Sequence, residues 1–237
     1  MQLTVIIGLL FSVVLGSGIV LSLRPKPAVI KMMLAFSGAY LLSVCVLELI
    51  PEIYFSLEER SGLFILAGFL IQLVLSYFSE GVEHGHMHTG HRTFTAPVLF
   101  SLVIHSFAEG MALGGDITHT DFGKALFAGI LLHKVPIAIV VTSVLVSDNV
   151  KTPRMLGVLI LFALSAPAGM WLSGLGFGDD LSEAIWVPIL LAVVAGMLLH
   201  ISTIILFESS HDHRFNAMKL LIILLGVAVA LGVYFRL

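Results

Sequence analysis

Four ionisable residues stand in two apolar segments that otherwise carry no charge. His105 and Glu109 lie within VLFSLVIHSFAEGMALGG, and His133 and Lys134 lie within ALFAGILLHKVPIAIVV. The spacing of His105 and Glu109 puts both side chains on one helical face, about 6 Å apart. An ionisable side chain at mid-depth in a membrane costs about 2.5–3.5 kcal/mol on insertion scales, so it calls for a partner and usually a function.

Two imidazoles and a carboxylate form a ligand set that suits zinc and similar transition-metal ions. We therefore predict that His105, Glu109 and His133 bind one divalent metal ion. Because neutral imidazole and ionised carboxylate are the binding states, metal binding should release protons. The alternative is a hydrogen bond between helices with no metal, which a lone histidine would favour. Four ionisable residues in two consecutive segments favour the metal site.

Lys134 is the unexpected member of this group, because a metal ion repels an ammonium. Consecutive helical residues point about 100° apart, so Lys134 and His133 face different directions. We predict that Lys134 pairs with Glu109 from another side; the alternative is a lysine that snorkels to the membrane interface. Pro136 follows, which frees a backbone carbonyl and kinks the helix. Unwound backbone is tolerated in a membrane where it lines a cavity.

The composition is that of a membrane protein. Hydrophobic residues make up 58% of the 237 residues and charged residues 11%, against about 25% charged in soluble domains. No stretch is long or polar enough for a separate soluble domain, so residues 1–237 are read as a single transmembrane domain. The one cysteine, Cys45, excludes an intrachain disulfide and Cys-rich metal sites. A net charge of −3 gives no indication of nucleic-acid binding.

Apolar runs of about 20 residues, the length that spans a bilayer, recur along the chain. They predict an all-α polytopic protein with eight transmembrane helices. The first run lacks a basic leader, so we expect it to be a retained span and not a cleaved signal. The predicted spans are residues 3–23, 30–50, 62–79, 95–115, 123–146, 155–175, 184–207 and 217–235.

The distribution of cations predicts the orientation. With the N-terminus outside, most Lys and Arg residues fall on the cytoplasmic side, as the positive-inside rule requires. We therefore expect both termini outside, in a plasma membrane or bacterial inner membrane. Small residues in the first span, such as Gly8 and Gly16, permit close helix packing within or between protomers, so a homodimer is compatible. The cytoplasmic cations are Arg24, Lys26, Lys31, Arg92, Lys151, Arg154, Arg214 and Lys219.

Glu48 and Glu52, four residues apart at the outer end of the second span, are candidates for collecting cations at the metal entrance. A solvated helix end explains Glu52 equally well, and Glu48 is one turn deeper. His200 lies within the seventh span, where it faces the pathway or makes a hydrogen-bonded helix contact.

Two further groups are candidates for metal binding on the cytoplasmic side. A His-rich loop at about residues 80–93 fits loose metal binding, with a polar linker as the alternative. A second group lies at the cytoplasmic end of the seventh span. The loop histidines are His84, His86, His88 and His91, and the second group is Glu208, His211 and His213.

Three segments resemble the signatures of the ZIP (Zrt/Irt-like protein) metal transporters. His105-Ser-Phe-Ala-Glu-Gly-Met-Ala-Leu-Gly114 resembles their fourth-span motif, and His133-Lys-Val-Pro136 resembles their fifth-span motif. Leu47-Glu-Leu-Ile-Pro-Glu52 is similar to the end of their second span. The resemblance implies a three-plus-two-plus-three arrangement of helices with an inverted repeat, and a transport site shared by the fourth and fifth spans.

The resemblance also implies ligands and exposes departures from the family pattern. His105, Glu109 and His133 match first-site ligands. Ser106, Lys134 and Ile137 stand where the family commonly has second-site ligands, and the sixth span around Leu164-Ser-Ala-Pro167 carries no acid. We hypothesise that the Lys134 ammonium replaces the second cation, balances Glu109 and leaves one exchangeable metal.

These observations predict a non-enzymatic importer of divalent metal, zinc first and Fe²⁺, Mn²⁺ or Cd²⁺ as further candidates. The metal is then a substrate, and no cofactor is expected. One alternative is an intramembrane zinc hydrolase in which Glu109 acts as the base. Another is a sensor or structural membrane protein whose metal site is static.

Overall fold

The computed structural model describes residues 2–79, 81–82, 95–114, 120–176, 185–207 and 217–236. Within these ranges all regular secondary structure is helical, which confirms the predicted all-α class. The helices are α1 (Gln2–Leu23), α2 (Pro27–Val44), α3 (Ile50–Leu57), α4 (Ser61–Ser79), α5 (Ala96–Met111), α6 (Asp121–Ser147), α7 (Thr152–Gly176), α8 (Trp186–Phe207) and α9 (Ala217–Tyr234).

The lengths and composition of these helices are those of a multi-pass membrane protein. Six helical stretches are long and apolar enough to cross a bilayer, and α5 is a shorter apolar helix of 16 residues. One stretch, from Pro27 to Ser79, is 53 residues long. A straight helix of that length would measure about 80 Å, against a bilayer core of about 30 Å. Its backbone breaks at Glu58, where φ is 51° and ψ is −130°. The count of eight spans stays a prediction.

A π-helical turn at Cys45–Leu49 joins α2 to α3, and the sequence did not indicate it. The backbone N–H of Ile50 donates to the carbonyl of Cys45, five residues back. Pro51 follows, and a proline has no N–H to give and its ring crowds the carbonyl four residues earlier. A widened turn before Pro51 relieves that conflict. Such turns are frequent at functional sites, and this one contains Glu48.

Close helix contacts fix the position of α5. Helix α5 packs against α7, and α6 packs against α1 and α2. A Cβ added at Gly110 would lie 1.9 Å from the carbonyl oxygen of Ala166, and one at Gly169 would lie 2.0 Å from that of Phe107. Each helix therefore presents a glycine to the other's backbone, and the two backbones touch. Glycine at both positions is what allows this approach.

The small residues of α1 pack within the chain. A Cβ at Gly16 would lie 2.6 Å from the carbonyl oxygen of Val135, and one at Gly8 would lie 2.8 Å from the ring of Phe127. Both contacts are with α6. The alternative left open by the sequence, packing within or between protomers, is therefore answered for these two glycines.

Two apolar clusters fill the bundle, and the ionisable residues of α5 and α6 lie between them. Leu102 of α5 and Ile137 of α6 belong to one cluster. Ala112, directly after the end of α5, and Ile130 of α6 belong to the other. In each helix, the ionisable residues are therefore flanked by one apolar cluster on the N-terminal side and by the other on the C-terminal side. The fold places a polar layer at mid-depth with apolar packing above and below.

Candidate metal site

Helix α5 supplies His105 and Glu109 on one face, as their spacing predicts. Nε2 of His105 lies 3.2 Å from Oε1 of Glu109. Both residues are almost fully buried, at 1% and 2% exposure. A buried carboxylate is costly unless it is paired, so this glutamate needs the partners that surround it.

Helix α6 supplies His133 and Lys134, which are also fully buried. The helix stays α-helical through Pro136, so there is no unwound backbone at this position. The direction of each side chain follows from regular helical rotation of about 100° per residue. That rotation lets two consecutive residues approach Glu109 and its neighbours from different sides.

The structure brings the three predicted ligands together. The imidazole rings of His105 and His133 have centroids 6.2 Å apart and planes at 87°. One donor atom from each of His105, Glu109 and His133 lies within 4.8 Å of the others. Zinc bonds of about 2.0–2.2 Å put tetrahedral ligands about 3.4 Å apart. A modest inward movement of these side chains would therefore suffice to enclose a metal ion.

Lys134 contacts Glu109 from the side opposite His105. Its Nζ donates to Oε2 of Glu109 at 3.1 Å and to Oγ of Ser106 at 2.6 Å. It also lies 5.0 Å from the centroid of the Phe162 ring, a cation–π contact from α7. The predicted pairing with Glu109 is confirmed, and the snorkelling alternative is wrong because the ammonium is buried. The two carboxylate oxygens of Glu109 thus have different neighbours: one lies near His105, and the other accepts from the ammonium.

Ser37 of α2 joins the site, and sequence reasoning missed it. Its Oγ lies 3.5 Å from Nδ1 of His133 and donates to the carbonyl of Leu34 at 3.1 Å. The contact joins residues 96 positions apart. No motif or spacing in the sequence marks this serine, since it is an ordinary small residue in an apolar run. It brings α2 to the candidate site, in addition to α5, α6 and the Phe162 ring of α7.

The two entrance candidates differ in their surroundings. Glu48 is half-buried in the π-helical turn, whereas Glu52 is exposed. Glu48 interacts electrostatically with Asp121 at the start of α6. Along the chain, buried apolar residues such as Tyr40 and Val44 separate Glu48 from Ser37, the residue of α2 that reaches the site. The structure therefore keeps Glu48 apart from the three ligands.

His200 lies in the contact between α8 and α4. Its ring packs edge-on against Phe69, with centroids 4.9 Å apart, and it is not part of the three-ligand group. The helix-contact interpretation of His200 fits this position. The remaining metal-binding candidates fall outside the described residues, namely His84, His86, His88, His91, Glu208, His211 and His213.

Comparisons with known proteins point in the same direction as the site. The family profile described as ZIP Zinc transporter matches residues 79–233. "Zinc transporter ZIP9" of Xenopus tropicalis is 28% identical over 176 residues, covering 67% of this chain and 57% of that protein. "Zinc transporter ZIP1" of Homo sapiens is 26% identical over an alignment of 255 positions, which covers 84% of this chain and 76% of that protein. The chain thus spans little more than half the length of the ZIP9 relative.

The matched region covers most of the chain and includes α5 and α6 with all three predicted ligands and Lys134. The resemblance noted in three short motifs therefore extends well beyond those motifs. With a buried His–Glu–His group on the helices that carry the signature residues, the chain belongs to the ZIP family.

Proposed function

We propose that this protein transports divalent transition-metal ions, with zinc as the principal substrate, into the cytoplasm through one site between α5 and α6. The observation that carries this proposal is the convergence of donor atoms from His105, Glu109 and His133 within 4.8 Å. Family membership and the zinc transporters among the relatives support the same substrate. Fe²⁺, Mn²⁺ and Cd²⁺ suit the same ligands with graded differences.

The chemistry of the site favours exchange over permanent binding. Structural zinc sites usually have four protein ligands, and this group offers three. Its single carboxylate is already paired with an ammonium, so a divalent ion would arrive with little negative charge to neutralise it. Charge that is not neutralised is costly in a low-dielectric interior. Such a site should bind its ion moderately and release it readily.

The arrangement around Lys134 supports a single metal site. Ser106 and Lys134, two positions that commonly carry second-site ligands in the family, bond to each other. Ile137, the third such position, is buried in an apolar cluster. These contacts support the proposal that the Lys134 ammonium substitutes for a second cation.

The membrane arrangement completes the proposal. We propose eight spans in the three-plus-two-plus-three order, with both termini outside a plasma or bacterial inner membrane. Glu48 would collect ions at the outer mouth. The His-rich loop and the group at residues 208–213 would bind metal on the cytoplasmic side, and a homodimer is the proposed assembly.

Zinc uptake into proteoliposomes tests transport directly. Purified protein is reconstituted around a zinc-sensitive dye, and uptake is followed for wild type, His105→Ala and His133→Ala. We expect uptake by wild type and its loss in both variants. His200→Gln, which changes a buried histidine outside the ligand group, should retain uptake. Zinc binding without uptake would favour a sensor. Peptide hydrolysis without uptake would favour the hydrolase, although Glu109, held by Lys134, is poorly placed to act as a base.

Metal stoichiometry tests the role of Lys134. The measurement uses a background that lacks residues 84–91 and carries Glu208→Gln, His211→Gln and His213→Gln, so that neither proposed cytoplasmic group binds zinc. We expect one bound zinc in this background and a second in Lys134→Glu, which places an acid where the ammonium was. Lys124→Glu, on the exposed part of the same helix, is the control. If Lys134→Ala leaves stoichiometry, affinity and transport unchanged, the ammonium is not a substitute cation.

A further inference from the structure

Metal binding by a histidine depends on which ring nitrogen carries the proton. A neutral imidazole has one N–H and one bare nitrogen, and only the bare nitrogen can bind a metal. The partner of the other nitrogen usually decides between these two tautomers. At His133 that partner is Ser37, a residue of α2 outside the family signatures.

The hydrogen bonds of Ser37 determine the direction of the contact. A serine hydroxyl has one proton to donate and lone pairs with which to accept. Its Oγ lies 3.1 Å from the carbonyl oxygen of Leu34, which can only accept, so the proton of Ser37 is used there. The contact of 3.5 Å with Nδ1 of His133 is then one in which Ser37 accepts and the imidazole donates.

If Nδ1 of His133 donates in this way, the other ring nitrogen is the bare one. Nε2 of His133 is buried and has no hydrogen-bond partner within the described part of the chain. Leaving a buried polar atom without a partner is costly, and a site that binds a metal ion has a use for such an atom. A ring that donates from Nδ1 to Ser37 presents a lone pair at Nε2.

We propose that Ser37 is a positioning residue that fixes the Nδ1–H tautomer of His133 and so presents Nε2 to the incoming metal. The proposal rests on the function proposed above and adds α2 to the metal-binding machinery. Outer partners of this kind orient metal-binding histidines, and their loss typically lowers metal affinity about 10–100-fold.

Nitrogen NMR of the metal-free protein tests the tautomer without any transport. Histidine is labelled with ¹⁵N, and the His133 signals are identified by their loss in His133→Gln. We expect a protonated Nδ1 and a bare Nε2 at His133 in wild type. Ser37→Ala should lose that preference, and Ser37→Thr, which keeps the hydroxyl, should restore it.

Zinc affinity gives the second readout. Ser37→Ala should weaken zinc binding about 10–100-fold, and Ser37→Thr should recover most of it. Ser43→Ala is the matched control, because Ser43 is a buried serine of α2 whose hydroxyl bonds only to Ala39 of its own helix among the contacts described. A merely structural role of Ser37 would affect the unfolding temperature and leave the tautomer in place.

The outcomes separate this inference from the proposed function. A proton on Nε2 of His133 in wild type overturns the inference, as does a Ser37→Ala variant with unchanged tautomer and affinity. In either case, loss of uptake in His105→Ala and His133→Ala would still support transport. Conversely, absence of uptake in wild type would remove the proposed function, and the NMR result would still report the role of Ser37 at His133.

Discussion

Lys134 and Glu109 form an ion pair of 3.1 Å in which both side chains are about 97–99% buried. The same helix carries an exposed pair, Lys124 with Asp121 at 2.7 Å, whose side chains are 51% and 55% accessible. The exposed pair is shorter, but disruption of the buried pair should lower the free energy of unfolding more. A buried charge left without its partner has no water to replace it.

Glu109→Gln and Lys134→Met should each destabilise the metal-free protein. Breaking one side of a buried pair costs about 3–5 kcal/mol, whereas replacing both sides is often far less costly. We therefore expect the double variant to lose much less free energy of unfolding than the two single variants lose together. Thermal unfolding in detergent micelles, followed by circular dichroism, provides the measurement.

The exposed pair provides the control for this cycle. Lys124→Met should change stability by about 1 kcal/mol or less, since surface ion pairs contribute little. Additive effects of Glu109→Gln and Lys134→Met would show that the two side chains are not coupled, contrary to the contact seen in the structure.

Gly110→Ala should separate α5 from α7 and weaken zinc binding as well as folding. The added methyl group would lie 1.9 Å from the carbonyl oxygen of Ala166, and overpacking of a well-packed interface typically costs about 1–3 kcal/mol. Because Gly110 follows Glu109 directly, a shift of α5 also moves a predicted ligand. The unfolding temperature should fall and the zinc dissociation constant should rise.

Gly157→Ala is the matched control on α7. A Cβ at Gly157 meets nothing within 4 Å, and alanine favours a helix over glycine by about 1 kcal/mol. This variant should be neutral or slightly more stable, with unchanged zinc binding. Equal damage from both substitutions would mean that the close contact between α5 and α7 is not what requires Gly110.

The parts of the site that the sequence predicts are those set by short-range geometry. Four-residue spacing places His105 beside Glu109, and the rotation between consecutive residues lets Lys134 reach Glu109 separately from His133. Charged residues in apolar runs are conspicuous, so these four residues stand out. The all-α class follows from the same apolar runs, because a membrane leaves few alternatives for the backbone.

The parts that the sequence did not predict depend on contacts between distant segments. Ser37 reaches His133 across 96 positions, and nothing in its local sequence distinguishes it from Ser43. The π-helical turn at Cys45–Leu49 depends on how α2 accommodates Pro51, for which a kink or a plain helix end were equally compatible. The glycine contact between α5 and α7 likewise appears only once both helices are placed.

Deletion of residues 84–91 should change regulation or apparent affinity and leave transport intact. Histidine-rich tracts bind metals loosely, and the four histidines of this segment lie apart in sequence from the three predicted ligands. Uptake by proteoliposomes should therefore persist at saturating zinc, with a changed response at low zinc. Replacement of the segment by Gly and Ser of equal length controls for the length of the connection. Complete loss of uptake would place the loop in the transport pathway itself.

Glu48→Gln should raise the zinc concentration needed for half-maximal uptake, by up to about tenfold, while the maximal rate stays the same. The reason is that Glu48, which is half-buried and within electrostatic range of Asp121, contributes negative charge that attracts cations to the mouth without binding them at mid-depth. Such attraction is screened by salt, so the difference from wild type should shrink at high ionic strength. Glu52→Gln, at an exposed position one turn away, should have a smaller effect. A lower maximal rate with unchanged half-maximal concentration would instead assign Glu48 to a later step of transport.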